Sequence, residues 1–591
     1  MLQECIEVFE GKLKKYTDQW LLDNYVPKDG TYVLINMQKD FLMEKNLNIK
    51  TDKKTGEVQG DSDSDYKYIA YLDYYSKLIE MNKPVDSTKI IHSNNIYAFF
   101  VKKESLQGKL TDKSIDGYYS VLQNPYQKYT KNNDKILYRQ VEEQLGEIDT
   151  AQLETIHRWI KDNLTDFLAN SEIDTSRKDY LKLFFIGNDR EESKELIRRE
   201  GQRYLLPNIF NKNDYNKNCE NGIKGLPGNN MGMNSKKPYL ENKTRKTKVP
   251  YMLDINKAML QAQFFDYLAG QASKGNNNIY VDLERDTIEA FRNNHSPSHI
   301  ETGIYLRIQQ GKELEIHNVD RITGYRNNLK RDFYMKNVME VQEEYIANNG
   351  LSYGKNTKLS EVETLVDDIF FGKRLKYNYF TKPEDMSFND SVLKNTLLMY
   401  REQFWAWFYK GDMLRIEETV NEIAIKLIME SLQNDNNYKA KHQINLWISL
   451  VDYFNENRRL EQDMEDTRAK LKEHIDCKDE WEFTGDKEYY YAVGQLLNIF
   501  LKLSRGKNKS LSLVNPVLNA KKDKVIKDRM VTLFKKYNYA IDDNDFRIKN
   551  LLNHVMCYIP ETKIDTYMVT AGFVANNLMY EKKQQETDEQ E

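Results

Sequence analysis

Apolar residues recur at helical spacing through the last third of the chain. Between residues 413 and 432 the apolar positions fall three or four apart, which places the following residues along one side of a helix: Leu414, Ile416, Val420, Ile423, Leu427 and Ile428. The same periodicity returns in residues 444–454, 489–503, 525–537, 548–559 and 566–580. We therefore expect the C-terminal part to be an all-helical bundle.

Short apolar runs bounded by turn residues characterise the earlier part of the chain. Two pairs of such runs flank polar turns and predict β-hairpins, at residues 89–101 and 304–319. Residues 183–186 and 279–283 are further buried-strand candidates. Because these strands alternate with helical segments, the pattern predicts an α+β N-terminal domain.

Proline and glycine divide the chain in the same way. Nine of the 11 prolines precede Met413, and only Gly485, Gly494, Gly506 and Gly572 follow it. Helix interiors exclude both residue types, whereas strand and turn folds use them. The polar segment 381–390, which contains Pro383, is the expected boundary, giving domains at residues 1–390 and 391–591.

Composition narrows the class of protein. The 591-residue chain has 40 tyrosines and a formal net charge of −4, so any nucleic-acid binding must come from local basic patches and not from the global field. No secretion signal or apolar run of membrane-spanning length is evident, which predicts a cytoplasmic protein without a membrane partner. The four cysteines are far apart in sequence, so they predict neither a disulfide framework nor a zinc site.

Familiar catalytic motifs are missing from the sequence. We find no phosphate-binding glycine loop, no nucleophile elbow and no H-E-x-x-H zinc motif. His295 and His299 have a metal-like spacing, but Pro297 between them disfavours a helical ligand pair and indicates a polar loop. The acidic run at residues 542–545 lacks the glycine and distant glutamate of a calcium loop. We therefore expect no enzyme activity, metal or cofactor.

The most informative stretch lies at residues 225–251. Its first half combines Gly225, Gly228 and Gly232 with three amides that predict base-edge or motif reading in DNA: Asn229, Asn230 and Asn234. Its second half concentrates basic residues that predict contacts to a nucleic-acid backbone: Lys236, Lys237, Lys243, Arg245, Lys246 and Lys248. A solvated loop is the alternative interpretation of the charge run by itself.

A second basic segment lies among the predicted helices. Residues 502–536 contain eleven basic and two acidic residues, whereas residues 452–488 contain thirteen acidic and seven basic residues. The basic segment predicts a surface for displaced single-stranded DNA, with these candidate contacts: Lys502, Arg505, Lys507, Lys509, Lys521, Lys522 and Lys524. The alternative is that the two segments pair with each other inside the bundle.

Three stretches resemble the large subunit of the CRISPR type I-B interference complex Cascade. The first is N-M-G-M-N-S-K-K-P-Y-L-E-N-K-T-R-K-T-K-V-P-Y, residues 230–251. The second is F-F-D-Y-L at 264–268 followed by N-I-Y-V-D at 278–282, and the third is Y-A-V-G-Q-L-L-N-I-F-L-K-L-S-R at 491–505. The resemblance spans both predicted domains, and from the family only residues 230–248 are carried over, as a region. Some relatives have a cysteine-ligated zinc motif that this chain lacks.

The resemblance implies a non-catalytic subunit of an antiviral, RNA-guided ribonucleoprotein. Such a subunit lies where the 5′ handle of the guide RNA is held, beside the backbone, handle-capping and small subunits. It tests the protospacer-adjacent motif of duplex DNA, aids opening and presents the displaced strand to a separate helicase-nuclease, while base pairing reads the rest of the target. Residues 1–390 would then recognise the motif, and residues 391–591 would resemble the small subunit.

Two other classes of function stay open from the residues. One is a metal-dependent nuclease or nucleotidyl transferase with an unrecognised site among carboxylates such as Asp282, Glu284 and Asp320. The other is a scaffold whose basic segments bind only protein partners.

The resemblance also implies a second product from the same reading frame. In that family, small helical subunits can arise from an internal translation start. Met413 is the predicted start, because it directly precedes an amphipathic helix and follows Gly411, a residue type that commonly ends helices. Met399 and Met429 are the alternatives.

Overall fold

The computed structural model describes most of the chain, as these residues: 1–52, 55–78, 83–220, 222–228, 244, 246, 248–249, 251–293, 295–311, 314–348, 350–434, 436–455, 459–477, 480–503, 515–518, 520–541 and 546–581. They form two compact units. Unit one comprises Met1–His295 and Glu301–Thr323, and unit two comprises Ser296–Ile300 and Gly324–Glu591.

The strands are concentrated in the N-terminal half of the chain. In chain order they are β1 Gly30–Asn36, β2 Leu42–Thr51, β3 Val58–Gln59, β4 Ala98–Lys102, β5 Tyr180–Ile186, β6 Lys217–Cys219, β7 Gly222–Gly225, β8 Leu253–Asp254, β9 Asn278–Asp282, β10 Thr287–Phe291, β11 His299–Gln310, β12 Leu314–Arg326, β13 Asn328–Met335 and β14 Gly354–Lys358.

Helices occur throughout the chain and dominate the C-terminal half. In chain order they are α1 Leu2–Asn24, α2 Tyr66–Ser76, α3 Lys103–Leu106, α4 Asp112–Gln123, α5 Asn132–Leu145, α6 Thr150–Asn170, α7 Arg190–Leu205, α8 Ile255–Ser273, α9 Glu343–Asn348, α10 Leu359–Ile369, α11 Leu375–Asn378, α12 Ser391–Trp405, α13 Ile416–Gln433, α14 Asn437–Phe454, α15 Leu460–Asp476, α16 Asp486–Leu503, α17 Asn515–Leu518, α18 Asp523–Tyr537, α19 Phe546–Cys557 and α20 Thr566–Val574. The structure therefore confirms the predicted fold class in outline: sheets lie in the N-terminal half, and helices dominate the C-terminal half.

Unit one contains a five-stranded sheet in the order β3-β2-β1-β5-β4. The central pair β1 and β5 is parallel, and the other pairs are antiparallel. All seven residues of β1 are buried, as expected for a strand covered on both faces. A second sheet has the order β10-β9-β11-β12. The predicted strands at 183–186 and 279–283 and the hairpin at 304–319 are confirmed as β5, β9 and β11–β12.

The predicted hairpin at residues 89–101 forms only in part. Its second run is β4, whereas its first run joins β4 through a single bridge between Ile91 and Val101. The carboxylate of Asp86 accepts the backbone N–H groups of Ile90 and Ile91 at 2.8 and 2.9 Å. These side-chain bonds satisfy backbone donors that a regular strand would use in pairing.

Unit two arranges its helices around α14 and α16. α14 packs on α13, α10 and β13, and α16 packs on α15, α18, α19 and α20. Glycine permits the closest of these approaches, because a Cβ at Gly494 would overlap the carbonyl oxygen of Val569, and one at Gly572 would overlap that of Tyr491. α16 and α20 therefore meet backbone to backbone.

The division between the units lies before the predicted limit of residues 390 and 391. Segment 381–390 is a connection as expected, and Asp390 caps α12 by accepting the N–H of Leu393 at 2.8 Å. Aromatic side chains from the two sides of this segment nevertheless pack together. Phe404 contacts Phe371, and Trp405 contacts Phe380, at ring-centroid distances of 5.5 and 5.2 Å. Residues 324–390 consequently belong to the same compact unit as the C-terminal helices.

Candidate nucleic-acid interface

Most of the predicted DNA-reading residues lie outside the part of the chain that the structure describes. These residues are Asn229, Asn230, Asn234, Lys236, Lys237, Lys243 and Arg245. Lys246 and Lys248 are described and exposed to solvent.

The described residues on either side of this segment belong to a small, well-packed base in unit one. β6, β7 and β8 form a three-stranded antiparallel sheet, with Gly225 opposite Leu253. Beyond β7 the chain continues to pair, because the N–H of Gly228 donates to the Ile209 carbonyl at 2.9 Å. Leu226 and Val249 are buried together, so the sheet holds the two ends close to each other.

Gly225 has a packing reason in this base. A Cβ there would lie 2.6 Å from the Phe210 ring and would overlap the side-chain oxygen of Asn216. The close backbone approach that the sequence assigned to a partner is therefore made, at Gly225, to the protein's own chain.

The second predicted surface is an exposed lysine cluster at the start of α18 in unit two. Lys521, Lys522 and Lys524 are exposed, and we call them the α18 lysine cluster. Lys502 at the end of α16 lies over the ring of Tyr580, 5.0 Å from its centroid. Arg505, Lys507 and Lys509 lie outside the described residues.

The opposite side of α18 fixes the helix on unit two. Ile526, Met530 and Leu533 are buried at helical spacing. Near its start, Asp523 accepts a hydrogen bond from the hydroxyl of Tyr489 and pairs with Lys527 at 3.1 Å. The cluster is thus held by a helix with one buried side and one solvated side.

Internal pairing does not neutralise the α18 lysine cluster. Ion pairs of the acidic segment 452–488 lead elsewhere: Asp452 and Glu461 to Lys336, Asp463 to Lys487, Asp476 to Arg547, and Glu488 to His474. Within the described ranges, Lys521, Lys522 and Lys524 form no ion pair with any acid. For these three lysines, the alternative of pairing between the two charged segments is not observed.

Three further exposed residues extend this surface. Lys535 and Lys536 are exposed in the last turn of α18, and the Tyr539 side chain beyond it is 64% exposed. Helical spacing from Lys524 places Lys535 on the same side of α18. The sequence did not single out Tyr539, because the exposure of a tyrosine depends on what packs against it.

One of the carboxylates considered for an enzyme site, Asp282, has a structural role. Asp282 is buried at the end of β9 and accepts the backbone N–H groups of Glu284 and Arg285, each at 3.0 Å. It therefore stabilises the turn into β10. No group of three or more histidine, cysteine, aspartate or glutamate side chains among the described residues could hold a metal ion. His299, predicted to lie in a loop, begins β11, and its Nδ1 lies 3.0 Å from the Tyr325 carbonyl oxygen.

The predicted internal start lies in an exposed connection. Met413 is 49% exposed, between Gly411, which has a left-handed φ of 73°, and the beginning of α13 at Ile416. α14 packs on β13 and α10, which precede Met413. A fragment starting at Met413 would leave that side of α14 uncovered, and its independent folding stays a prediction.

Comparison with known proteins gives no relative: no family model, no curated protein and no solved structure matches the chain. None of the helices in the described stretches combines the length and apolar character needed to cross a membrane.

Proposed function

We propose that the protein is a non-catalytic, cytoplasmic DNA-binding subunit of an RNA-guided complex of the type I-B Cascade class. The observation that carries the proposal is the α18 lysine cluster, whose charges have no acidic partner in the described structure. Unpaired surface lysines that release counterions from a phosphate backbone supply most of non-specific nucleic-acid affinity.

The position of the cluster on its helix strengthens this argument. The N-terminus of a helix carries partial positive charge, so basic residues there raise the local potential instead of offsetting it. Lys522 is the N-cap residue of α18, and Lys524 lies in its first turn. Lysines and helix dipole together favour an anion at this end, and a phosphate is the anion that such a site suits.

The dimensions of α18 fit a short stretch of single strand. Its 15 residues extend over about 22 Å. Lys521 and Lys524 mark one end of this length, and Lys535, Lys536 and the exposed Tyr539 mark the other. Tyrosine offers a base a stacking surface, and the lysines offer its backbone charge partners.

Within the proposed function the loop of unit one and the helix of unit two have different tasks. The segment between β7 and β8 would test the protospacer-adjacent motif, with Asn229, Asn230 and Asn234 reading bases and the basic residues that follow binding phosphates. The α18 surface would hold the displaced strand. Guide RNA, the backbone, handle-capping and small subunits and the helicase-nuclease are the proposed partners. An internal product from Met413 would supply the small subunit.

Binding of labelled DNA by the purified chain tests the proposal. If three to five lysines contact phosphates, log affinity for single strands should fall against log salt with a slope of about −2 to −3.5. A flat salt dependence or no binding at low salt would favour the protein-only scaffold. Cleavage or extension of the DNA that requires a divalent metal and stops with chelator would instead establish an enzyme.

A further inference from the structure

A large cavity lies beside α15 in unit two. Its volume is about 860 Å³, and its lining comes from α15, from residues 338–340, from Tyr491 of α16 and from Ala575 and Asn576. Val338, Met339 and Met464 give it an apolar part. Volume and composition are those of small-molecule sites, which combine apolar surface with a few polar groups.

One polar group in the lining has no partner. Tyr491 is 1% exposed, and within the described residues its hydroxyl makes no hydrogen bond. Burial raises the pKa of this phenol, and the nearby charges that act on it belong to Arg468, Glu581 and Glu340. Because Arg468 and Glu340 also line the cavity, the hydroxyl lies on the cavity side. The Tyr491 side chain is almost fully buried and lines the cavity, and a hydroxyl without a partner inside the protein has the capacity to bond a ligand there.

Backbone strain occurs at the same place. Glu340 has a φ of 49°, a left-handed conformation that non-glycine residues seldom adopt. Such conformations are energetically costly and occur preferentially at functional sites. Here the strained residue places a carboxylate at the cavity.

The two basic side chains of the lining already form ion pairs. Arg468 and Lys472, one turn apart on α15, both pair with the carboxylate of Glu581, and the Lys472 contact is 3.2 Å. Asp476, a further lining residue, is paired with Arg547. An incoming anion would have to displace Glu581 to reach either cation.

Among the described residues, the remaining acidic side chains of the lining have no ion-pair partner. Glu340, Glu465 and Glu473 form no ion pair with any residue that the structure describes. Two cations share one carboxylate and three carboxylates stay unmatched, so the cavity and its immediate partners carry a net charge of −2. The electrostatic balance therefore selects a cation over an anion.

We propose that this cavity binds an alkylammonium ligand, whose methylene chain lies on Met339 and Met464 and whose ammonium groups meet the Tyr491 hydroxyl and the carboxylates of Glu340 and Glu473. A long aliphatic amine covers apolar surface with its stem while its charged end is hydrated or paired. The shared chemistry has two sources, a free polyamine or a lysine side chain of a partner protein. This inference does not depend on DNA binding, since the α18 lysine cluster does not line the cavity.

Calorimetric titration of the full-length chain with spermidine and with N-acetyl-lysine-methylamide, at low ionic strength, separates the sources. Binding of spermidine alone identifies a polyamine site, and binding of the lysine derivative identifies a side-chain site. Either result supports the proposal, whereas no heat from either compound up to about 10 mM, equivalent to less than about 3 kcal/mol of binding free energy, overturns it.

Variants place the binding in the cavity. Tyr491→Phe removes only an unpartnered hydroxyl, so the fold should melt unchanged while amine affinity falls about fivefold, the effect of one hydrogen bond. Glu473→Gln should weaken binding about three- to tenfold, and Asp466→Asn is the matched control, an exposed acid of α15 outside this cavity. Equal losses in the Glu473 and Asp466 variants would show diffuse attraction to an acidic surface and would refute the site.

Discussion

Two groups of charges in unit two differ in their ion pairs: Asp463 and Asp476 of α15, and the α18 lysine cluster. Both helices pack against the same helix, α16. From α15, Asp463 and Asp476 reach partners on other elements, Lys487 of α16 and Arg547 of α19. On α18, the lysines of the cluster reach none in the described structure. A run of charge in a sequence therefore does not state its role, because the role depends on what lies opposite each side chain in the fold.

Because of this difference, removing a paired charge and removing a solvated charge should have different effects on stability and on DNA binding. Removing a charge that is paired inside the protein lowers stability, since its partner is left without compensation. Removing a solvated charge changes stability little and changes the attraction of a polyanion. Variants of the paired charges and variants of the α18 lysine cluster should thus affect different measurements.

The largest loss of stability is expected from a change in α16, the helix against which both α15 and α18 pack. Gly494→Ala would force α16 away from Val569 and Phe573 of α20, because the added Cβ has no room. We expect a loss of more than about 3 kcal/mol in the free energy of unfolding, measured by urea denaturation. Gly485→Ala is the matched control, with nothing within 4 Å of its Cβ and no left-handed φ, and should be close to neutral. Similar behaviour of the two variants would mean that α16 and α20 are not in backbone contact.

The next effect sharpens the comparison directly. Replacing Lys521 and Lys524 by glutamate should weaken single-strand binding about 100-fold at low salt and make the salt slope shallower by at least about 1.4, without changing the melting temperature. The control replaces Lys470 and Lys563, also exposed lysines of unit two, in the same way. Fluorescence anisotropy measures both. Equal weakening by the control pair would show that net charge, and not the α18 surface, governs binding.

Local patterns predicted those elements whose partners are close in sequence. The 3.6-residue period identified α13, α14, α16, α18 and α19, and the second hairpin emerged as β11 and β12. The parallel pairing of β1 with β5 was not predicted, because it joins residues 30–36 to residues 180–186 and no local signal encodes such a contact.

Other elements were missed for different reasons. α15 was read only as an acidic segment, although Leu460, Met464, Leu471 and Ile475 are buried at helical spacing. α20 ends at Val574, earlier than the periodicity suggested, because Ala575 adopts an extended conformation. For the candidate interface, sequence identified the α18 lysines, but their freedom from the acidic segment followed only from the positions of Lys336, Lys487 and Arg547.

A buried carboxyl group gives the opposite case to a solvated lysine. Glu363 of α10 is 2% exposed and accepts a hydrogen bond from the Tyr379 hydroxyl at 2.9 Å. Burial raises its pKa to about 7, opposed by Lys376 and by hydrogen bonds from Tyr379 and Tyr409. An unpaired charge is tolerated in water at α18, whereas in this core the group changes its protonation state.

That carboxyl predicts a pH dependence of stability. The folded state holds the proton more tightly than the unfolded state, whose pKa is near 4.5, so stability is lost as pH rises from about 4.5 to about 7. Glu363→Gln should therefore gain about 2 kcal/mol relative to the parent between pH 5 and pH 8. Denaturant unfolding at the two pH values measures this. A constant difference between parent and variant would show that Glu363 titrates normally.

The smallest effect tests the paired side of the comparison. Lys336, just after β13, connects to α14 and α15, since its ammonium group lies 2.9 Å from Asp452 and also pairs with Glu461. Burial opposes protonation of this amine, but the hydrogen bonds that it donates to the two carboxylates prevail and raise the pKa of Lys336. Its side chain is 29% exposed, so solvent screens the pair only in part.

Replacing Lys336 by methionine keeps the stem and removes the charge. We expect a loss of about 1 to 2 kcal/mol in the free energy of unfolding, because Asp452, 10% exposed, would lose its cation. Lys355→Met is the matched control: its partner Asp332 lies 2.7 Å away, but the lysine is 54% exposed, so its removal should leave the free energy of unfolding nearly unchanged. Neither variant should change affinity for single-stranded DNA. A change in DNA affinity without a change in stability for Lys336→Met would reverse the assignment, placing the paired charges in the interface and leaving the α18 lysine cluster without its distinct role.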